Sequence, residues 1–288
     1  MNWKTTFVAV VIVFVIFAQE SVKEPPAEFN QGVELLQNGD YDGAIAKWEQ
    51  ALQKDSTLAA AWFNMAIAYD MQGQDSAAIS CYHRAADLNP ADPDPWIYLA
   101  QLHRKRQEPY LAAQAYEKAV ELKPDSPELF NGLAIAYDQL NELQPALNAI
   151  NKAITLDSFY ISAWANKVII HNHLGQYDSA VFYGEKVVSQ YSDEPVTWAQ
   201  IGLAYHKLGN DNKAMVAVDS ALTIFDGLAM GHYYRAMILL SLGNPNEAVD
   251  EIENAVELFE PYREEAAEEP EFKVLMKLNR FKKLIEGE

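Results

Sequence analysis

Residues 127–160 read PELFNGLAIAYDQLNELQPALNAINKAITLDSFY, and residues 161–194, ISAWANKVIIHNHLGQYDSAVFYGEKVVSQYSDE, carry the same pattern one block later. Phe130 and Trp164, Ala134 and Val168, Ala146 and Ala180, and Ala153 and Val187 each stand 34 residues apart. Followed outward, this register covers most of the chain. Alanine occupies positions 44, 78, 112, 146, 180, 214 and 248, seven times at intervals of 34, and a sustained period of this length marks a repeat array. Blocks beginning nineteen residues before each alanine run 25–58, 59–92, 93–126, 127–160, 161–194, 195–228 and 229–262. Twelve residues before the alanine stand Gly32, Ala66, Ala100, Ala134, Val168, Gly202 and Ala236, and seven after it stand Ala51, Ala85, Ala119, Ala153, Val187, Ala221 and Ala255. Small residues thus recur where two helices must approach closely, while Trp62, Trp96, Phe130, Trp164 and Trp198 fill the fourth place of blocks two to six.

Within a block, places 4, 7, 8 and 11 are apolar or small, and their i, i+3, i+4, i+7 spacing is one face of an α-helix. Gly39, Gly73, Gly175, Gly209 and Gly243 then fall where that helix should stop, in the left-handed conformation that glycine adopts at little cost. Asp42, Ser76, Asp178 and Asn246 lie just beyond and are expected to cap a second helix.

These columns resemble the tetratricopeptide repeat, whose 34-residue pattern of aromatic, Leu-Gly, Tyr, Ala, aromatic, Ala and Pro is specific when sustained, here over residues 25–262. Glu28 and His232 depart from the aromatic place in the first and seventh blocks, and the closing proline survives only at Pro90 and Pro124. Terminal repeats are expected to be atypical. The resemblance implies an all-α fold: antiparallel helix pairs stacked as a right-handed superhelical α-solenoid with a concave groove. Some family members grip a chaperone's carboxylate tail through Lys and Arg at set places, but Asp94 and Tyr98 stand where the third block would need them. That ligand is not expected.

The two ends are read separately. Phe7–Ala18 (FVAVVIVFVIFA) is an unbroken apolar run of twelve residues behind Lys4, shorter than the roughly 20 residues of a membrane-spanning helix. Residues 1–18 are expected to be a secretory signal cut after Ala18, with an uncleaved membrane anchor over residues 3–18 as the alternative. Residues 19–26, with Glu24-Pro25-Pro26, form a linker, and the mature chain is expected to be exported: periplasmic, secreted or in the cell envelope. At the other end, residues 263–288 hold an acidic stretch, read with Glu260–Glu271 as a solvated connector, and a capping helix over Phe272–Ile285. The alternative for that helix is a basic amphipathic segment resting on an anionic membrane.

Composition narrows the function. The 288 residues carry 22 basic and 41 acidic side chains, a formal net charge of −19, and half are hydrophobic. A disordered chain is excluded and nucleic acid is an unfavourable partner, since its phosphates would meet charge of the same sign. Cys81 is the only cysteine, so no intrachain disulfide or CxxC metal site exists. No P-loop, GxGxxG, GxSxG or HExxH is present. His171 and His173 are two apart on a helix and point to different faces, so no metal is expected, nor any cofactor or catalytic residue. His103 and His171 take the place that tyrosine fills elsewhere and are read as core, and Cys81 as an inert thiol.

What remains is the other side of each first helix, places 2, 5, 9, 12 and 13. The resemblance makes this the groove lining. Place 5 offers Phe63, Ile97, Asn131 and Tyr233; place 9 offers Ile67, Gln101, Ile135, Ile169, Leu203 and Met237. Place 13 gives Met71, Lys105, Gln139, His173 and Lys207, a row without an acid, and place 12 adds Arg104, Asn172 and His206. An apolar floor under a basic lip suits an extended peptide with apolar side chains and an acidic group. The expected function is therefore a non-enzymatic adaptor or scaffold binding a protein or peptide; the alternative is an accessory subunit of an envelope enzyme or assembly that uses its convex or terminal surfaces.

Overall fold

The columns that recur in the sequence are the points at which helices touch. A computed structural model describes residues 24–287, and among them each block forms two helices joined by a tight turn, with no strand. The expected signal or anchor, residues 1–18, lies outside the described residues. Among those described, no helix is long and apolar enough to cross a membrane.

The chain divides into two compact units, Met1–Asp125 and Ser126–Glu288. The first contains α1 (Ala27–Gln37), α2 (Tyr41–Lys54), α3 (Ala59–Met71), α4 (Asp75–Leu88), α5 (Asp94–Lys105) and α6 (Pro109–Leu122). The second contains α7 (Pro127–Gln139), α8 (Leu143–Leu156), α9 (Ile161–His173), α10 (Tyr177–Gln190), α11 (Pro195–Lys207), α12 (Asp211–Ile224), α13 (Ala229–Ser241), α14 (Pro245–Leu258), α15 (Tyr262–Glu268), a 3₁₀ segment (Pro270–Lys277) and α16 (Asn279–Glu286). In each block the two helices pack on each other, and in the second unit the first helices also form a row in which α7 touches α9, α9 touches α11, and α11 touches α13.

All seven register alanines have no exposed surface. The small residues facing them are held to size by their neighbours. A Cβ added at Gly32 would come within 2.5 Å of Trp48 Nε1, and one at Gly202 within 2.4 Å of Val218 Cγ2 and 3.2 Å of the Ala214 carbonyl. Close-packed interiors do not absorb such overlap without backbone shifts.

The turns repeat as faithfully as the helices. The five expected glycines have positive φ, and Gln107 and Asn141, both with φ of 58°, take the same left-handed place in the third and fourth blocks. The amide of the next residue then reaches back five positions, Asp40 to the Leu35 carbonyl at 2.9 Å and Asn210 to that of Tyr205 at 2.8 Å, which satisfies carbonyls left over at the helix end. The expected caps need correction. Asp42 and Asp178 lie inside the first turn of the second helix, and the cap falls two residues earlier, where the side chains of Asp40 and Asn210 accept from the amides of Gly43 and Lys213.

The C-terminal segment departs from the sequence reading in two respects. The stretch expected to be a solvated connector contains α15, with Ala266 buried and Tyr262 stacked on Tyr233 at 4.6 Å. The single capping helix is instead the 3₁₀ segment and α16, separated by an extended Leu278. Together they do cap the seventh pair, burying Phe272, Leu275 and Phe281 with Tyr233, Met237, Val249 and Ile252. The basic side of α16 is drawn into this contact, because Arg280 pairs with Asp250 and Glu253 of α14.

Candidate docking surface

The apolar floor exists in part. In the first unit Ile67 and Ile97 are half-buried, and Met71, Gln101, Arg104 and Lys105 are exposed. Phe63 is half-buried too, but its ring lies edge-on to Tyr98 at 5.3 Å and tilted to Tyr82 at 5.7 Å, so it also holds α3 against its neighbours. In the second unit Ile135, Ile169 and Leu203 are half-buried and Gln139 is exposed.

Two asparagines assigned to the lining belong between the helices. Asn131 is buried and accepts from Asn166 Nδ2 at 2.7 Å. Asn172 is buried and donates to both the backbone and the side-chain oxygen of Gln200, at 3.0 and 2.8 Å, and Gln200 continues to Tyr234 Oη at 3.4 Å. These amides staple successive first helices together, as buried polar groups must find partners. Tyr233 and Met237 are corrected as well: at 2% and 3% exposed they are core, covered by the C-terminal segment.

The basic lip is a row of pairs. Lys105 Nζ lies 3.1 Å from Asp70 and 3.6 Å from Asp75, and His173 Nδ1 lies 2.7 Å from Asp138. The hydrogen bond to Asp70 raises the Lys105 pKa, and that to Asp138 raises His173. The acid in each case is place 12 of the preceding block, 35 residues earlier, so each pair joins two different columns and neither column alone shows it. Lys207 Nζ lies 2.5 Å from Glu271 Oε1, while His206 has Asp211 at 2.6 Å on Nδ1 and Glu271 at 3.0 Å on Nε2. Contact with Glu271, far along the chain and outside the repeats, has no periodic signal to announce it.

The remaining chemistry-bearing residues are structural. His103 and His171 are buried, the latter stacked on Tyr183 at 5.2 Å. Cys81 is buried, and burial pushes its thiol up to about 11, away from the thiolate form that nucleophilic chemistry needs. Among the described residues no group of three or more His, Cys, Asp or Glu side chains is placed to hold a metal ion.

Family models described as TPR repeat match residues 32–73, and those described as tetratricopeptide repeat match 59–102, 93–136, 127–160 and 196–225. The chain belongs to the tetratricopeptide repeat family. No curated protein matches its sequence. Among solved structures it is similar to a tetratricopeptide repeat protein from Parabacteroides merdae ATCC 43184, 18% identical, with a TM-score of 0.67 over 86% of this chain and 97% of that one. It is similar also to YrrB, described as a TPR protein with an unusual peptide-binding site, 18% identical with a TM-score of 0.57 over 65% of this chain and 97% of that one. A third likeness is to the Cut9–Hcn1 hetero-tetramer of the APC/C, 17% identical with a TM-score of 0.60 over 86% of this chain and 51% of that one. At these identities the likeness is one of fold. A tetratricopeptide repeat fold supports a protein-interaction scaffold, and no catalytic family is indicated.

Proposed function

We propose that the chain is a non-catalytic docking protein that binds an extended peptide or protein segment along the first helices of its repeats. The observation that carries this reading is the pair of half-buried apolar residues at place 9 of successive blocks in the second unit, Ile135 and Ile169, beside the exposed polar side chains of Gln139 and His173 at place 13. Such a surface offers apolar area and hydrogen-bonding groups at a regular spacing. Because Lys105 and His173 already hold carboxylates, an acidic partner group exchanges with Asp70 or Asp138 instead of meeting a free cation. The N-terminal apolar run supports docking outside the cytoplasmic membrane, and the intact mass of native protein, starting at Gln19 or at Met1, decides between a cleaved signal and an anchor.

A second reading, an assembly subunit working through other surfaces, has its own observation. Phe159 and Phe182 are 79% and 65% exposed, and Phe159 lines a hollow with Trp164, Lys186 and Tyr191 that recurs one block later around Trp198, Val216 and Ile224. Crosslinked capture from the native envelope separates the two. Loss of the captured partner in a folded Ile67→Glu, Ile135→Glu variant supports the first-helix face; loss only on Phe159→Glu, Phe182→Glu supports the second.

A further inference from the structure

The C-terminal segment does more than close the end of the array. It leaves α15, runs as 3₁₀ helix over Pro270–Lys277, and sets three side chains onto the first helices of the sixth and seventh blocks. Glu271 meets Lys207 and His206 of α11. Phe272 is fully buried, edge-on to Tyr233 of α13 at 5.4 Å, and Leu275 is 1% exposed in the same cluster as Met237. The side chains between and beyond them, Lys273, Val274 and Met276, are exposed. An acid, an aromatic beside it and a leucine three residues on are therefore read by the very places, 5, 9, 12 and 13, that line the docking surface.

We infer that the first-helix face of the sixth and seventh blocks is a seat for an acidic-aromatic-x-x-leucine peptide, occupied in the free protein by the chain's own residues 271–275 and taken over by a partner segment of the same pattern. The inference rests on the reading of the first-helix face as a docking surface, and supplies the partner chemistry for one part of it.

Two features make the occupant displaceable. Eight residues is long for a 3₁₀ helix, whose internal hydrogen bonds are poorly directed, and Glu271, Phe272 and Leu275 are the side chains that hold it on α11 and α13. The seat is also left incomplete. Tyr233 Oη is buried and finds no hydrogen-bond partner among the described residues, and a buried orphan hydroxyl is costly. A partner that adds an acceptor there satisfies a group the resident segment does not.

The test uses the full chain and a labelled synthetic peptide, EEPEFKVLMKLN, copied from residues 268–279. In fluorescence anisotropy the peptide should bind the variant Phe272→Ala, Leu275→Ala, whose own segment has lost its anchors, and bind wild type about tenfold or more weakly, as expected when the seat is filled in most molecules. Adding Lys207→Glu to the variant should abolish binding, and a peptide with Lys for the Glu corresponding to Glu271 and Ala for the Phe corresponding to Phe272 should bind neither. No binding to the freed, helical variant overturns the inference while leaving the docking reading of the earlier blocks standing; equal binding to wild type and variant, or indifference to Lys207→Glu, overturns it by moving the peptide elsewhere. Should the double variant lose its helical circular dichroism, Phe272→Ala alone, which empties the place beside Tyr233 and keeps Leu275, takes its place under the same outcomes.

Discussion

Ala146 has no exposed surface, and the register fixes it at the closest approach of α8 to its neighbours. Ala146→Leu should therefore overpack the pair and lower stability by roughly 1–3 kcal/mol in urea unfolding; no loss would mean that the register is misplaced. The left-handed turn position gives the opposite sign. A non-glycine residue there costs about 1–2 kcal/mol, while glycine adds roughly 0.5–1 kcal/mol of chain entropy to be lost on folding. Gln107→Gly should raise stability by a few tenths to about 1 kcal/mol, and Asn141→Gly by less, since asparagine tolerates this conformation. The small columns and turn glycines were legible in the sequence because a steric limit admits few residue types. The caps were misplaced by two residues because aspartate and asparagine occur on both sides of the turn, at Asp40 and Asp42 as at Asn210, and only backbone geometry tells which accepts an amide.

Helices α1 to α14 follow directly from the period, whereas the C-terminal elements do not. Pro261 and Pro270 read as breaks, yet proline is well accommodated in the first turn of a helix, and α15 and the 3₁₀ segment each begin beside one. The clasp between this segment and α11 has a pH signature. Hydrogen bonds from His206 and Lys207 hold Glu271 down at about 2, so its contribution is present above its ordinary value near 4.5 and fades as pH falls towards 2. Burial disfavours protonated His206, but bonds to Glu271 and Asp211 outweigh this and raise its pKa above 6.5, so its contribution is present below 6.5 and fades as pH rises through the raised value. The difference in melting temperature between wild type and Glu271→Gln should be largest between about pH 4.5 and 6.5. It should shrink fully on the acid side and only part-way on the alkaline side, where the contact of Glu271 with Lys207 remains. A difference independent of pH would remove the clasp.

At the scale of the molecule, each unit is an array of like helix pairs, and stability in such arrays is built from contacts between neighbours. The sequence assigns the proposed docking face by place within the block, and Ile67, Ile97, Ile135 and Ile169 are half-exposed. It misjudged the lip and the far end for one reason. Reading a column treats each block alone, but Asp70 with Lys105, Asp138 with His173, and Glu271 with Lys207 are contacts between blocks or with a segment outside them.

The docking claim is tested most directly by site-specific photocrosslinking in native cells, with a photoreactive amino acid placed singly at Gln101 and Gln139 on the first helices and at Phe182 and Val216 on the second. A discrete partner adduct is expected from each first-helix site and none from the second-helix sites. Adducts confined to Phe182 and Val216 would contradict it.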